Sequence, residues 1–266
     1  MQDHLNISLV QGNTRWHDPQ ANREYYGDLL QRETGKTDIF ILPETFTSGF
    51  SNEAIAGAET MQGETLAWML EKAREHDAVV TGSVQIRENS NVFNRLIWAQ
   101  PDGGFEYYDK RHLFRMANEH QRYASGNERL IVEYKGWRIC PLVCYDLRFP
   151  VFSRNRFNHD AENRFDYDLL LYVANWPAAR RHAWNSLLPA RAIENLAYVA
   201  GVNRVGPDGN SIDYSGDSVL LDYLGQAMVT GGKNDEVLTG ALSATELTAF
   251  REKFPAYLDA DKFEII

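Results

Sequence analysis

The sequence predicts an α/β layer fold, because short apolar runs alternate with amphipathic stretches along the whole chain. Residues 5–10 and 78–86 are typical of buried strands, whereas 64–76 places apolar residues at helical spacing. Neither a linker, nor a low-complexity tract, nor a long repeat interrupts this alternation. We therefore expect one domain over residues 1–266. These patterns do not separate a three-layer from a four-layer arrangement.

The other elements follow in chain order. A helix is predicted to begin at Asp18-Pro19 and to run through Leu30, and further helices are predicted at 64–76, 182–195 and 245–253. Further strands are predicted at 38–42, 93–99, 105–109, 130–134, 137–143, 168–174, 197–203, 218–222 and 237–242. The polar stretch 115–127 is predicted to be a long loop, and loops of that length are often functional.

The composition is that of an ordinary globular protein, with 44% apolar and 24% charged residues among 266. A formal net charge of −10 argues against nucleic-acid binding, which requires clustered Lys and Arg. The N-terminal segment lacks the pattern of a signal peptide, and no stretch reaches the length of a membrane span. We therefore expect a cytoplasmic protein that does not contact membranes.

The two cysteines, Cys140 and Cys144, are expected to be free thiols. On one strand they would lie roughly 13 Å apart, too far for a disulfide. Cys140 is expected to pack as a small core residue. Cys144 ends the predicted strand 137–143, where the chain turns into a helix, so a rigid backbone would present its thiol to a substrate.

A reactive thiol needs neighbouring groups, because only the thiolate attacks a carbonyl carbon well. Two charged residues stand at comparable places in the sequence. Glu44 follows the predicted strand 38–42, and Lys110 follows the predicted strand 105–109. Amide hydrolysis by a thiol requires a base for its proton and a cation or oriented donors for the developing oxyanion. Glu44, Lys110 and Cys144 supply a base, a cation and a nucleophile.

The segments around these three residues, in this order, together with Asn175-Trp176-Pro177, resemble the nitrilase superfamily of carbon–nitrogen hydrolases. The resemblance extends over nearly the whole chain. It implies a four-layer α-β-β-α sandwich and a homodimer or larger assembly. It also implies that Glu44 is the general base, Lys110 the cation and Cys144 the nucleophile.

The resemblance further implies a second glutamate between the lysine and the cysteine, and Glu119 matches it. A second carboxylate near Lys110 would keep that side chain charged, and two close carboxylates push one pKa upward. The backbone N–H of Tyr145 is the expected second oxyanion donor, since it follows the nucleophile. The expected reaction passes through a thioester of Cys144 and requires no metal or organic cofactor.

Candidate substrate-binding residues lie near these motifs. Trp176 follows a buried strand and Phe46 follows Glu44, so either could line the pocket, although Trp176 is equally compatible with core packing. Arginine binds a carboxylate through a planar two-point contact, which would let an acidic protein select an acidic amide. The arginines in question are Arg115, Arg148, Arg180 and Arg181. His112 and Asp146 are interpreted as structural residues.

Longer stretches, at 109–120, 141–155 and 172–206, resemble the omega-amidase branch of the superfamily. Members of that branch hydrolyse the terminal amide of short dicarboxylic acid monoamides, namely 2-oxoglutaramate, 2-oxosuccinamate and succinamate. One difference is Val151, where many relatives carry Glu. The alternatives are a nitrilase, an N-carbamoyl amidase or a deaminated-glutathione amidase. From other classes, the alternatives are an inactive scaffold and a redox-sensing thiol protein.

Overall fold

Two six-stranded sheets form the centre of the molecule, a computed structural model that describes residues 2–33, 35–158 and 164–264. The first sheet contains, in spatial order, β16 (Glu236–Ser243), β1 (His4–Gln11), β2 (Ile39–Ile41), β3 (Val79–Glu88), β4 (Asn91–Ala99) and β5 (Phe105–Asp109). The second contains β15 (Ala227–Thr230), β14 (Val219–Leu221), β11 (Tyr198–Asn203), β10 (Leu169–Ala174), β7 (Trp137–Val143) and β6 (Val132–Tyr134). Two short pairs stand apart: β8 (Phe157–Asn158) with β9 (Arg164–Phe165), and β12 (Val205–Pro207) with β13 (Asp213–Ser215).

The α-helices of the described residues are α1 (Pro19–Arg32), α2 (Glu64–His76), α3 (Pro150–Ser153), α4 (Arg181–Asn195) and α5 (Ala244–Lys253). The first begins where the sequence indicates, because Asp18 accepts a hydrogen bond from the backbone N–H of Ala21 and proline occupies the first turn. Four short 3₁₀ helices matter for the site: Arg115–Ala117, Glu119–Gln121, Cys144–Arg148 and Ala178–Arg180.

The elements form four layers. Leu30 of α1 and Met69 of α2 pack on the outer face of the first sheet. The inner faces of the two sheets share one apolar cluster, which includes Leu96 from the first and Leu171 from the second. Leu188 of α4 belongs to the same cluster and covers the second sheet from outside. The predicted α-β-β-α sandwich is therefore confirmed.

Strand ends bring distant segments together. The strands β7 and β10 are parallel neighbours, with Val143 opposite Val173. Their carboxyl ends therefore meet at one edge of the sheet, where Cys144 and Asn175 follow them. Glu44 comes shortly after β2, and Lys110 comes directly after β5. The site thus lies where the ends of strands from both sheets converge.

Most predicted elements are present with small shifts at their ends, and residues 64–76 form a helix with the predicted bounds. The prediction missed the pairs β8–β9 and β12–β13 and the strand β15, because runs this short carry little periodicity. The predicted loop 115–127 contains two 3₁₀ helices. Both cysteines are free, and Cys140 is fully buried, as predicted. In the part of the chain that the structure describes, no helix has the length and apolarity needed to span a membrane.

Candidate active site

Lys110 is the centre of a buried group of charges. Its Nζ donates hydrogen bonds to Glu44 Oε1 at 2.9 Å and to both carboxylate oxygens of Glu119 at 3.0 Å. All three side chains are almost completely shielded from solvent. Burial acts to lower the pKa of Lys110, but Glu119 and Glu44 outweigh it and hold that pKa well above its ordinary value. Lys110 is therefore a fixed positive charge.

Glu119 connects this charge to the segment that follows β5. Its Oε2 also accepts a hydrogen bond from the backbone N–H of Phe114 at 2.5 Å. Burial raises the pKa of Glu119, with Lys110 acting to lower it and Glu44 acting to raise it. The same carboxylate thus orients the lysine and anchors the 3₁₀ helix at residues 115–117.

Glu44 is held in one orientation by hydrogen bonds to both carboxylate oxygens. Oε1 accepts from Asn94 Nδ2 at 2.8 Å, in addition to Lys110, and Oε2 accepts from the backbone N–H of Asn175 at 2.8 Å. The side chain of Asn175 donates in turn to the backbone oxygen of Glu44 at 2.7 Å. Three segments, from both sheets, therefore fix the position of this carboxylate.

The backbone at Cys144 turns sharply, with a φ of 45°. Left-handed backbone is uncommon for any residue other than glycine and persists only where the surroundings enforce it. Asp146 supplies that constraint, since its carboxylate accepts hydrogen bonds from the N–H of Val143 at 3.0 Å and from Tyr108 Oη at 2.8 Å. It also accepts from the backbone N–H of His112 at 3.1 Å. These contacts agree with the structural interpretation of Asp146 and His112.

The environment of the Cys144 thiol favours its protonated form. Burial and the nearby carboxylate of Glu44 raise the pKa of Cys144 well above its ordinary value, although Lys110 acts to lower it. The sulfur lies 3.8 Å from the backbone oxygen of Asn175. A protonated thiol can attack a carbonyl carbon only as its proton is taken, and the carboxylate of Glu44 lies near enough to raise the thiol pKa.

Tyr145 lies at the start of a helix, directly after Cys144. It is the second residue of the 3₁₀ helix Cys144–Arg148, and the first N–H groups of a helix have no partner within it. The tyrosine ring packs edge-on against Phe114 at 5.0 Å between centroids.

These groups open onto a cavity of about 230 Å³. Glu44, Lys110 and Cys144 all line it, and so do Arg148 and Arg180. The remaining wall is mainly aromatic and apolar, and includes Phe50, Phe114, Tyr145, Trp176, Ile212 and Tyr214. A cavity of this size, with a thiol and two arginines beside an apolar wall, suits a small polar ligand.

Two of the predicted arginines lie at this cavity. The guanidinium of Arg148 is 5.0 Å from the ring centroid of Trp176, and that of Arg180 is 5.2 Å from the ring centroid of Phe114. Among the described residues neither forms an ion pair with a carboxylate. Trp176 lines the cavity as well, in keeping with the functional interpretation.

Three predicted positions are corrected by the structure. Phe46 does not line the cavity: it is fully buried on the helix side of the first sheet, edge-on to Tyr26 at 5.6 Å. Arg115 is exposed, because the 3₁₀ helix turns its neighbours toward the cavity and its own side chain outward. Arg181 pairs with Asp217, with Nε 3.0 Å from Oδ2.

Sequence reasoning missed Asn94 and the specific role of Asn175. Asn94 interrupts the apolar strand β4 and is almost fully buried, which is unusual for a polar residue without a task. The signal available in the sequence was an asparagine flanked by strand-forming residues. Asn175 belongs to the motif Asn175-Trp176-Pro177. Its contact with Glu44 crosses from one sheet to the other, so no pattern in the nearby sequence indicates it.

A thiol, a buried glutamate and a buried lysine at the strand ends of an α-β-β-α sandwich define a cysteine-dependent hydrolase of carbon–nitrogen bonds. The chain belongs to the carbon–nitrogen hydrolase family, whose model matches residues 6–252. The family predicted from the motifs is therefore confirmed.

Known relatives cover nearly the full chain. Omega-amidase YafV of Escherichia coli strain K12 is 49% identical over 262 residues, 98% of each protein. A 2-oxoglutaramate amidase of Bacillus subtilis is 30% identical, covering 96% of this chain and 97% of its own. The crystal structure of XC1258 from Xanthomonas campestris, a CN-hydrolase superfamily protein with an arsenic adduct in its active site, is 60% identical, with a TM-score of 0.98 and 100% coverage of both chains.

Proposed function

We propose that this protein is an omega-amidase. Its substrates would be short dicarboxylic acid monoamides such as 2-oxoglutaramate, 2-oxosuccinamate and succinamate, and its products the acid and ammonia. Similarity to an omega-amidase and a 2-oxoglutaramate amidase supports this proposal. The observation that carries it is the presence of Arg148 and Arg180, neither paired with a carboxylate among the described residues, at the cavity that contains Cys144.

In the proposed reaction, Glu44 takes the thiol proton as the sulfur of Cys144 attacks the amide carbon. Lys110 and the N–H of Tyr145 stabilise the negative charge on the carbonyl oxygen. Glu44 then delivers the proton to the leaving nitrogen, so that ammonia departs and a thioester remains. Water, deprotonated by Glu44, hydrolyses the thioester and restores the thiol. Glu119 keeps Lys110 charged and in place throughout.

Substrate selection would depend on the end of the substrate that is remote from the amide group. The protein carries a formal charge of −10, so an anionic substrate is repelled unless cations face it locally. The aromatic rings of Trp176 and Phe114 support the guanidinium groups of Arg148 and Arg180 by cation–π contact. Two such groups at one cavity favour a carboxylate over a neutral chain end. A nitrilase that acts on neutral nitriles would share Cys144 without requiring this pair.

The test compares ammonia release from 2-oxoglutaramate and succinamate with release from neutral amides, nitriles and carbamoyl compounds. We expect the acidic monoamides to be preferred, and the Cys144→Ala variant to be inactive but folded. Arg148→Met and Arg180→Met should raise KM for acidic amides more than for neutral ones. Equal effects on both would remove the carboxylate role, and full activity of Cys144→Ala would overturn the mechanism.

We also propose that residues 1–266 form one catalytic domain that acts as a cytoplasmic homodimer or higher homo-oligomer. The free thiols support a reducing compartment. Self-association is supported by exposed apolar side chains at one face. Ile193, Phe254 and Leu258 are each more than half exposed and border the same groove. Exposed apolar groups clustered in this way are typical of protein interfaces.

A further inference from the structure

The hairpin formed by β12 and β13 belongs to neither large sheet, yet it forms one wall of the cavity. Gly206 of β12 pairs with Tyr214 of β13. The side chains of Ile212 and Tyr214, two residues apart, both line the cavity. Tyr214 is 5% exposed and Ile212 is 42% exposed, so the tyrosine forms the inner part of this wall and the isoleucine its rim.

The Tyr214 ring is held from several sides. Its Oη donates to Asp208 Oδ2 at 3.1 Å, and the guanidinium of the buried Arg204 lies 4.9 Å from its ring centroid. The other oxygen of Asp208 accepts from the backbone N–H groups of Asn210 at 2.8 Å and Ile212 at 3.0 Å. One carboxylate therefore shapes the turn and fixes the ring. Because the tyrosine hydroxyl is engaged by Asp208, the ring face is what remains for the cavity.

The same hairpin supports the segment that carries Arg180. The backbone of Tyr214 forms an isolated bridge with Pro177, and β13 packs against the 3₁₀ helix Ala178–Arg180. The backbone N–H of Arg180 donates to the oxygen of Pro177 at 2.8 Å. The wall and the cation therefore form one packed unit. Since Cys144 is fixed by its own strand end, the space between the thiol and this arginine has a set length.

The cavity itself is small. Its volume of about 230 Å³ lies below the range of roughly 300–1,000 Å³ found for pockets that hold drug-sized ligands. A wall of rigid aromatic and branched side chains cannot expand for a longer ligand without losing its packing. Length is therefore the substrate property to which this wall is most sensitive.

We propose that Tyr214 and Ile212 set the length of the substrate. On the basis of the proposed omega-amidase function, the wall accepts four- and five-carbon dicarboxylic monoamides and excludes longer ones. Tyr214 limits the acyl chain inside the cavity, and Ile212 limits it at the rim. The discrimination depends on the tyrosine ring and not on its hydroxyl.

The test measures kcat/KM for succinamate, glutaramate and adipamate, which have four, five and six carbons. We expect the wild-type protein to turn over the first two and to discriminate against the third. Tyr214→Ala should raise the ratio of adipamate to glutaramate by roughly tenfold or more, since one methylene group in a closed apolar pocket is worth about 10–200-fold. Ile212→Ala should move the ratio in the same direction by less.

Two control variants distinguish the effect of removing the cavity wall from a general loss of structure or activity. Tyr214→Phe keeps the ring and loses the bond to Asp208, so it should retain the wild-type ratio. Tyr107→Ala removes an exposed tyrosine that does not line the cavity and should leave the ratio unchanged. If Tyr214→Ala fails to fold, Ile212→Trp replaces it as the test, since a narrower rim should reduce turnover of glutaramate relative to succinamate.

Each outcome bears on one proposal. Wild-type protein that hydrolyses adipamate as well as glutaramate would overturn the length limit, and so would a folded Tyr214→Ala with an unchanged ratio. If Ile212→Trp is used in place of Tyr214→Ala, an unchanged ratio of glutaramate to succinamate turnover would also overturn the length limit. By contrast, wild-type protein that hydrolyses no acidic monoamide would refute the proposed omega-amidase function itself.

Discussion

The surroundings of the Cys144 thiol keep it protonated, so the proposed reaction requires a base that takes its proton. Burial and Glu44 raise the pKa of Cys144, and Lys110 compensates only in part. The site therefore differs from one in which a neighbouring cation maintains a stable thiolate. In the proposed mechanism Glu44 promotes the reaction as a base, whereas its charge raises the pKa of Cys144 and so disfavours the thiolate. A substitution of Glu44 separates these two effects.

Glu44→Gln should lower kcat/KM by roughly 10²–10⁴-fold, since it removes the general base. The same change should lower the pKa of Cys144, because the negative charge that raises it is gone. Amide turnover and the pH dependence of thiol alkylation by iodoacetamide would be measured together. A variant in which the thiol becomes more reactive and turnover rises with it would contradict the base role.

Lys110→Met should reduce the free energy of unfolding by about 3–5 kcal/mol at neutral pH, because it leaves two buried carboxylates without their cation. Glu119 already has a pKa above its ordinary value in the folded protein. Without Lys110 that pKa rises further, so the folded state binds a proton more tightly than the unfolded chain does. The destabilisation should therefore be greatest at neutral pH and shrink as the pH falls.

Urea unfolding between pH 5 and pH 8 would measure this effect. Lys72→Met is a matched control, because Lys72 pairs with Glu75 at 2.7 Å in a more exposed setting. Its cost should stay below about 1 kcal/mol at every pH. A Lys110→Met variant whose destabilisation does not change with pH would show that the buried carboxylates do not take up protons.

At the scale of elements, the segment between β5 and β6 carries much of the site. It leaves β5 at Lys110, forms two 3₁₀ helices and returns to the same strand end. There the backbone N–H of Gly126 donates to the oxygen of Lys110 at 3.0 Å. Asn52 secures its middle by donating from Nδ2 to the oxygen of Ala117 at 2.6 Å. These contacts hold the segment against the strand end, where Glu119 accepts a hydrogen bond from Lys110.

Gly126→Ala tests this closure. A Cβ at Gly126 would lie 2.1 Å from the backbone oxygen of Asp109, so the segment must move away from the strand. We expect a loss of about 1–3 kcal/mol in the free energy of unfolding and reduced amide turnover. Gly57→Ala is the control, since its Cβ would meet nothing within 4 Å. If both variants behave like wild type, the close approach at Gly126 does not hold the segment.

At the scale of the whole molecule, the two sheets present their strand ends to one cavity, and a face that borders a separate groove carries three exposed apolar residues. That face includes Ile193 from α4 and Leu258 from the segment after α5. Neither residue lines the cavity, so an interface formed by them would not use the cavity lining.

Ile193→Asp combined with Leu258→Asp should convert the proposed oligomer to a monomer, since charged groups at an apolar interface are costly to desolvate. Phe105→Asp is the control, because Phe105 is 41% exposed but lies on β5 of the first sheet. Size-exclusion chromatography with light scattering would give the masses. An unchanged mass for the double variant would exclude this face as the interface.

How much of the structure could be predicted depends on whether the relevant signal lies within a short stretch of sequence. Helix α2 was predicted with its bounds because its apolar spacing is local. The motif residues Glu44, Lys110 and Cys144 were predicted because the short segments around them, in this order, resemble the nitrilase superfamily. The assignment of Arg115 to the substrate pocket was wrong, because a 3₁₀ helix directs neighbouring side chains in different directions within three residues. Phe46 was assigned to the cavity by its closeness in sequence to Glu44, while the sheet places it on the opposite face.

The sequence alone determined the layered α/β class, the membership of the chain in its family and the identity of the residues proposed to carry the chemistry. The class depends on the periodicity of apolar residues, whereas the family and the site residues depend on the resemblance of the motifs around Glu44, Lys110 and Cys144, and all of these signals are local in the sequence. Only the tertiary structure decided how Asn94 and Asn175 hold Glu44, which arginines reach the cavity, and that Tyr214 forms its wall. Such contacts join segments far apart in the chain, and they exist only after the two sheets have packed.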